Sequence, residues 1–341
     1  MNPVLEKPPL GKEGYSCIAS FLPKKQEQEK TCQGGETGAE ARRRLARPNF
    51  SGKMLASLSG TIYMRDDEEE VWWLSTDQFP MHRRCLQVSF LPPPQFVYPG
   101  QRFFVKNSTL RIGDSFSVDL SSLKEWTPHP IFLGQGKPLA TVRHRYEQIF
   151  GFFQCLVPLE GLGQLIPLIP KMAEGTEVSF SPIDFPAPRF LLPIPDLGNA
   201  CLRRDMGEIL KKGKELIGLG PGMTPSGDDF LGGLLFSAFL LREAYPDVFL
   251  WNPESVSDFT AWARLQTNPI SYAFLNDFAL GHGPAHLHEV MNFLIQGKDF
   301  EKAVSAIIQF LRFGHSSGGD VLAGLMTGML MIFEIQKIES H

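Results

Sequence analysis

Residues 218–235 read GLGPGMTPSGDDFLGGLL. Gly218, Gly220, Gly222 and Gly227, with Pro221 and Pro225, punctuate a tight loop, and the acids Asp228 and Asp229 lead directly into an apolar run that continues to Leu241. Such a run after turn signals reads as a helix buried on most sides. The pattern recurs near the C-terminus as SSGGDVLAGLMTGM. Without a gap, Ser226 matches Ser317, Gly227 matches Gly318, Asp229 matches Asp320, Leu231 matches Leu322, Gly233 matches Gly324 and Ser237 matches Gly328. This is a pseudo-repeat, and it predicts two similar helix starts brought together.

Working outward, the C-terminal part is helical in pattern over about 198–217, 226–244, 269–281, 284–296, 299–313 and 316–337, with Gly or Pro at most joints. Upstream, short β-type segments alternate with turns: MLASLSGTIYM, the acidic tip RDDEEE, VWWLST, RCLQVSFL and RFFVKNSTLRIGDSFSVDL. Their spacing predicts an antiparallel, barrel-like sheet. The expected fold class is α+β, with an N-terminal β-rich domain over 51–130, a helical and Pro-rich connecting region over 131–196 and an α-helical domain over 197–341. Residues 1–50 carry no sustained apolar period and are expected to be a disordered or peripheral extension.

The chain has 341 residues, 43% hydrophobic and 21% charged, the composition of a globular protein with one large or two ordinary domains. A formal net charge of -4 provides no basic field to gather nucleic acid. Cys17, Cys32, Cys85, Cys155 and Cys201 are scattered, without a C-x-x-C pair, so neither a disulfide framework nor a zinc site is expected. No signal peptide is read at the N-terminus, and the run FLGGLLFSAFLL falls short of the ~20 residues needed to span a bilayer. A cytoplasmic protein without membrane partners is the expectation.

Ser226-x-x-Asp229 and Ser317-x-x-Asp320 both fit a capping box, which by itself accounts for a serine and an acid at each helix start. Asp228 exceeds what capping needs. Two apposed helix N-termini would aim backbone N–H groups from Gly220, Gly222, Thr224, Ser226, Gly227, Ser317, Gly318 and Gly319 at an anion, with Asp228, Asp229 and Asp320 at the same place. No lysine stands in the loop as in a Walker A motif. Either a divalent cation such as Mg2+ bridges the acids to a phosphate, or the acids accept hydrogen bonds from an amide-bearing substrate. No cofactor is otherwise implied. His315 precedes the second motif and is placed for acid–base work. Thr267, in QTNPISYAFL, is read as a substrate contact or a helix entry. His282, His286 and His288 in GHGPAHLHE lack single-helix metal spacing because Pro284 intervenes.

GLGPGMTPSGDDFLGGLL, followed by TNPISYAFLNDFALGH and SSGGDVLAGL, resembles the AllH family, formerly a domain of unknown function and later linked to oxamate carbamoyltransferase. The resemblance extends from about Ser51 to Lys337. It implies a subunit acting with AllF (FdrA-like) and AllG companions in allantoin breakdown, interconverting carbamoyl phosphate plus oxamate with oxalurate plus phosphate. It carries no catalytic assignment for particular residues. The competing expectations are a non-catalytic assembly or regulatory subunit, whose glycines serve only close helix packing, and a metal- or nucleotide-dependent enzyme acting alone.

Overall fold

Ile62 to Met64 and Val71 to Leu74 are apolar at every position, so neither strand has a face suited to water; both faces must be covered. The computed structural model describes residues 30–128, 136–156, 159–173, 191–312 and 314–333, positions 59 and 115 excepted, and shows how. Its first part is β1 (Lys30–Gly38), α1 (Ala39–Leu45), β2 (Ser51–Ser57), β3 (Thr61–Asp66), β4 (Val71–Ser75), β5 (Cys85–Val88), β6 (Arg102–Lys106), β7 (Thr109–Ile112), β8 (Phe116–Asp119) and β9 (Lys124–Trp126). The order β5-β4-β3-β2-β6-β7-β8-β1 returns to β5, closing an eight-stranded barrel, and β9 pairs with β1 beyond the end of β8. Closure leaves no long edge exposed.

Inside the barrel lie Ile62, Met64, Trp72, Leu74, Phe103, Leu110 and Phe116. The alternate residues Tyr63, Val71, Trp73 and Cys85 point outward and join the core of the helical region. The expected antiparallel sheet is mixed in fact: β1 runs parallel to β8 and β9, and β4 parallel to β5.

The expectation of a peripheral extension to residue 50 needs correction from Lys30 onward; residues 1–29 lie outside those described. β1 is the strand that closes the barrel. Its segment, KTCQGGETG, lacks an apolar period because it is squeezed between neighbours: a Cβ at Gly34 would lie 2.6 Å from Leu123 Cδ2, and one at Gly38 would lie 2.2 Å from the His82 carbonyl oxygen.

The second part comprises α2 (Leu139–Gln154), the 3-10 turn Gly161–Leu168, α3 (Ile169–Ala173), α4 (Pro193–Leu202), α5 (Met206–Gly213), α6 (Ser226–Ala244), α7 (Pro253–Ala263), α8 (Pro269–Ala279), α9 (Ala285–Gln296), α10 (Phe300–Phe310) and α11 (Ser317–Gly328). The helix expected over 198–217 is two helices. Arg204 adopts φ 56, and Asp205 caps α5 by accepting from the Glu208 N–H at 3.0 Å. α4 starts at Pro193, inside the segment expected to be a connector, most of which lies outside the described residues. α11 passes into a 3-10 turn over Met329–Ile332, and 334–337 of the expected helix fall outside the description. α7 was not anticipated, although Asn252-Pro253 is a start signal: the Asn252 side chain accepts from the Glu254 N–H.

α6 is buried along nearly its whole length, as a helix apolar on all faces must be. It crosses α11 in backbone contact. A Cβ on Gly233 would lie 1.9 Å from the Val321 carbonyl oxygen, and a Cβ on Gly324 would lie 1.7 Å from that of Phe230. Gly233 and Gly324 are repeat-equivalent, as are Phe230 and Val321, so the two contacts are one contact repeated about a pseudo-twofold axis.

The barrel is fixed to this bundle by a buried ion pair. Arg84 donates from Nε and Nη2 to Asp277 of α8 at 2.6 and 2.9 Å, and from Nη1 to Glu70 at 3.0 Å. Beside it, Trp73 stacks on His82 at 4.8 Å and packs on Phe274 at 4.7 Å. Burial among these groups pushes His82 down to about 3.

Candidate functional site

The same pseudo-twofold axis brings the two Ser-Gly-x-Asp starts together. Neither serine caps its own helix. Ser226 and Ser317 are the first helical residues, and the caps are Pro225 and Ser316, neither with a side-chain cap bond. Instead the bonds are exchanged. The Ser317 hydroxyl is set against Asp229 and the Ser226 hydroxyl against Asp320, each drawing down the proton affinity of the other repeat's acid. Each serine thus serves the acid of the other repeat rather than capping its own helix.

Asp229 also accepts from Thr224 Oγ1 at 2.8 Å, and Thr224 and Ser317 hydroxyls meet at 3.0 Å. Asp320 accepts from the Leu162 N–H at 2.6 Å and from Ser316 Oγ at 3.0 Å. Both carboxyls are almost wholly buried. Burial, reinforced by the Asp320 carboxylate, holds Asp229 well above the usual range. Burial raises Asp320 to about 6 against its hydrogen bonds.

Asp228 does not join them. It turns back to accept from the Gly218 N–H at 2.6 Å, from Ser271 Oγ at 2.6 Å and from Thr267 Oγ1. The expectation that three acids meet at one spot is therefore corrected to two. Thr267 is a partner of Asp228 and ties the segment before α8 to the loop. Residues 218–222 need glycine: Gly218, Gly220 and Gly222 have φ 77, 112 and 99, in the region that side chains disfavour. Asn268 holds the next turn, donating from Nδ2 to the Met223 carbonyl at 2.7 Å.

Gly227, Gly318 and Gly319 are packing positions. Cβ atoms there would lie 2.1 Å from the Leu216 oxygen, 2.1 Å from the Phe310 oxygen and 3.1 Å from the Glu160 oxygen. Gly220 packs on Ser226, while Gly222, Thr224, Asp229 and Ser317 line a cavity of about 670 Å3 between the bundle and the barrel. Ser316, His315 and Arg312 add polar groups to its lining, and Tyr63, Phe79, Phe274 and Phe278 apolar ones. His315 is exposed and pairs with Glu160 at 2.7 Å. Arg312 makes no ion pair among the described residues. Its sequence neighbourhood, FLRFGH, held no signal that singled it out.

Among the described residues no group of three or more His, Cys, Asp or Glu side chains is placed to hold a metal ion. His282, His286 and His288 go to separate places: the His282 carbonyl faces His82 Nε2 at 3.3 Å, His286 meets Gln309 at 3.0 Å, and His288 lies edge-on to Phe236 at 5.1 Å.

The segment holding both repeats is also where the chain resembles known proteins. Residues 216–329 match the family described as oxamate carbamoyltransferase subunit AllH. The match takes in the Gly-rich loop, α6 to α11 and both Ser-Gly-x-Asp starts, a narrower span than the 51–337 of the sequence resemblance. The AllH description names one subunit of a larger enzyme, so membership of a complex fits it. No solved structure matches the chain at a significant level. No helix among the described residues is long and apolar enough to cross a membrane.

Proposed function

We propose that this chain supplies the substrate-binding wall of a carbamoyltransferase that passes a carbamoyl group between phosphate and oxamate, in company with AllF-like and AllG-like subunits. The observation that carries the proposal is the exchanged Ser–Asp pair opening on a cavity within the segment that matches AllH. A buried carboxyl whose affinity for protons is raised is able to keep its proton and donate a hydrogen bond. Asp229 is thereby suited to the carbonyl oxygen of a bound carbamoyl or oxamate group; on the carbamoyl group that oxygen gains negative charge as the oxamate amide nitrogen attacks and the C–O bond to phosphate breaks. The amide nitrogen's proton leaves with the phosphate. Arg312 at the cavity offers positive charge, and His315 a hydrogen bond, to the phosphate or the oxamate carboxylate. This reverses the role first expected of the acids, which was to accept from an amide.

A place in allantoin catabolism belongs to the same proposal and rests on the sequence resemblance; a cytoplasmic setting rests on the scattered cysteines. Asp228 acts through position: it anchors the Gly218 turn to α8 and does not touch substrate. The second reading, a non-catalytic assembly subunit, draws on the backbone-to-backbone packing at Gly233 and Gly324, which needs no ligand to explain it.

Phosphate release from carbamoyl phosphate plus oxamate, by the chain assembled with its two companions, separates them. Asp229→Ala, which removes the donor that Asn would keep, should lower kcat by about 10²-fold or more in the folded protein, the scale for losing a donor to a developing oxyanion. A folded variant within a few-fold of wild-type rate would return the motif to helix packing.

A further inference from the structure

Oxamate and carbamoyl phosphate are polar at every atom, yet much of the cavity wall is not. Tyr63 and Phe79 from the barrel side and Ile270, Phe274, Phe278 and Val321 from the bundle face the same space as Asp229 and Arg312. The volume also exceeds what the two substrates fill. At ~30 Å3 per non-hydrogen atom, the share of a water in the liquid and a generous allowance, oxamate's roughly six atoms and carbamoyl phosphate's roughly eight fill about 420 Å3 of about 670 Å3, which leaves room for a ring-sized group. A cavity of this size whose lining is largely apolar with a few polar groups is of the kind that holds a larger ligand with an apolar body.

We propose that the cavity takes a substituted amide acid: a carboxylate at Arg312, an amide carbonyl at Asp229, and a ring-sized apolar group against Phe79 and Phe274. The inference rests on the proposed function for the placing of the carbonyl, and it widens the acceptor from oxamate to N-substituted oxamates and acids of like shape. Phe274 is held for this contact from behind, packed on Trp73 and Tyr63. Phe79 lies so close over the backbone at position 60 that a Cβ there would fall 1.8 Å from its ring, which glycine permits. The two rings belong to different domains, so the apolar wall exists only when the barrel sits on the bundle.

The probes are oxamate and N-phenyloxamate, titrated calorimetrically into the full chain. N-phenyloxamate should bind at least tenfold more tightly. Phe79→Ala should bring that ratio down toward one, and Arg312→Gln should weaken both probes by a similar factor. Equal or tighter binding of oxamate, no binding of either probe, or a ratio untouched by Phe79→Ala would overturn the proposal. Phosphate release by the assembled complex with oxamate reports separately on the carbamoyltransferase reading. A complex active on oxamate whose chain shows no preference for the phenyl probe would remove the wider substrate class and leave that reading in place. A strong phenyl preference in an inactive complex would do the reverse.

Discussion

Replacing Asp320 by Asn should make the stability of this protein depend on pH in a way that wild type alone would conceal. In the fold, burial raises the Asp320 carboxyl from 3.8 to about 6. Each unit corresponds to ~1.4 kcal/mol, so the shift corresponds to ~3 kcal/mol. Between about pH 4 and pH 6 the folded state holds a proton that the unfolded chain has released, so wild-type stability from this group falls as pH rises through that window. Asn at 320 does not titrate, and its amide retains an acceptor for the Leu162 N–H and donors for Ser226 and Ser316. His82 and His288, pushed by burial to about 3 and about 4, act with the opposite sign over an overlapping range. They are common to both proteins and drop out of the difference. Loss of the Asp320 charge also relieves Asp229, which adds to the difference in the same direction. Urea unfolding followed by tryptophan fluorescence at pH 4 to 7 measures it. Asp320→Asn should be at least as stable as wild type at pH 7, and wild type should gain on it by about 3 kcal/mol by pH 4. A difference constant to within ~0.5 kcal/mol, the scatter expected of non-interacting sites, or one of opposite slope, would refute the account of a buried carboxyl strained by its charge.

Two glycine substitutions should act in opposite directions. Gly324→Ala drives a methyl onto the Phe230 carbonyl and should cost ~3 kcal/mol or more, since backbone on both sides leaves nothing to repack. Gly151→Ala, in the last turn of α2 with nothing within 4 Å of its Cβ position, should stabilise by up to ~0.5 kcal/mol; thermal unfolding of the pair checks both. Asp277→Ala strands the Arg84 guanidinium between the barrel and the bundle and should cost ~3–5 kcal/mol. Restoration of most of that loss by a second change, Arg84→Met, would be expected; a cost of Asp277→Ala below ~1 kcal/mol in chemical denaturation would show that the pair is not buried in solution.

Much of the site was legible at the level of positions and little at the level of bonds. Ser226, Asp229, Ser317 and Asp320 stand out because the segment repeats, and Gly218, Gly220 and Gly222 because a turn of that density needs left-handed backbone. That Asp228 turns away, that Thr267 serves it, and that each serine bonds the other repeat's acid depend on distances between segments remote in the chain. Arg312 and Tyr63 had no local signal, because a cavity-facing residue differs from any other arginine or tyrosine only in what stands opposite. The barrel showed a comparable limit. Its antiparallel hairpins follow from alternation and turns, whereas β1 has neither and is recruited by long-range pairing with β5 and β8.

By itself, then, the sequence determined the order of β before α, the burial of the helix begun at Ser226, and the presence of two equivalent acidic helix starts. These are properties of local periodicity and turn chemistry, which each segment carries with it. Only the tertiary structure decided that the barrel closes through a glycine-rich strand, that two acids rather than three meet, and that a cavity forms where the barrel covers them. Those outcomes depend on how closely backbones approach and which group faces which across an interface, and a residue's neighbours in the chain do not contain that information.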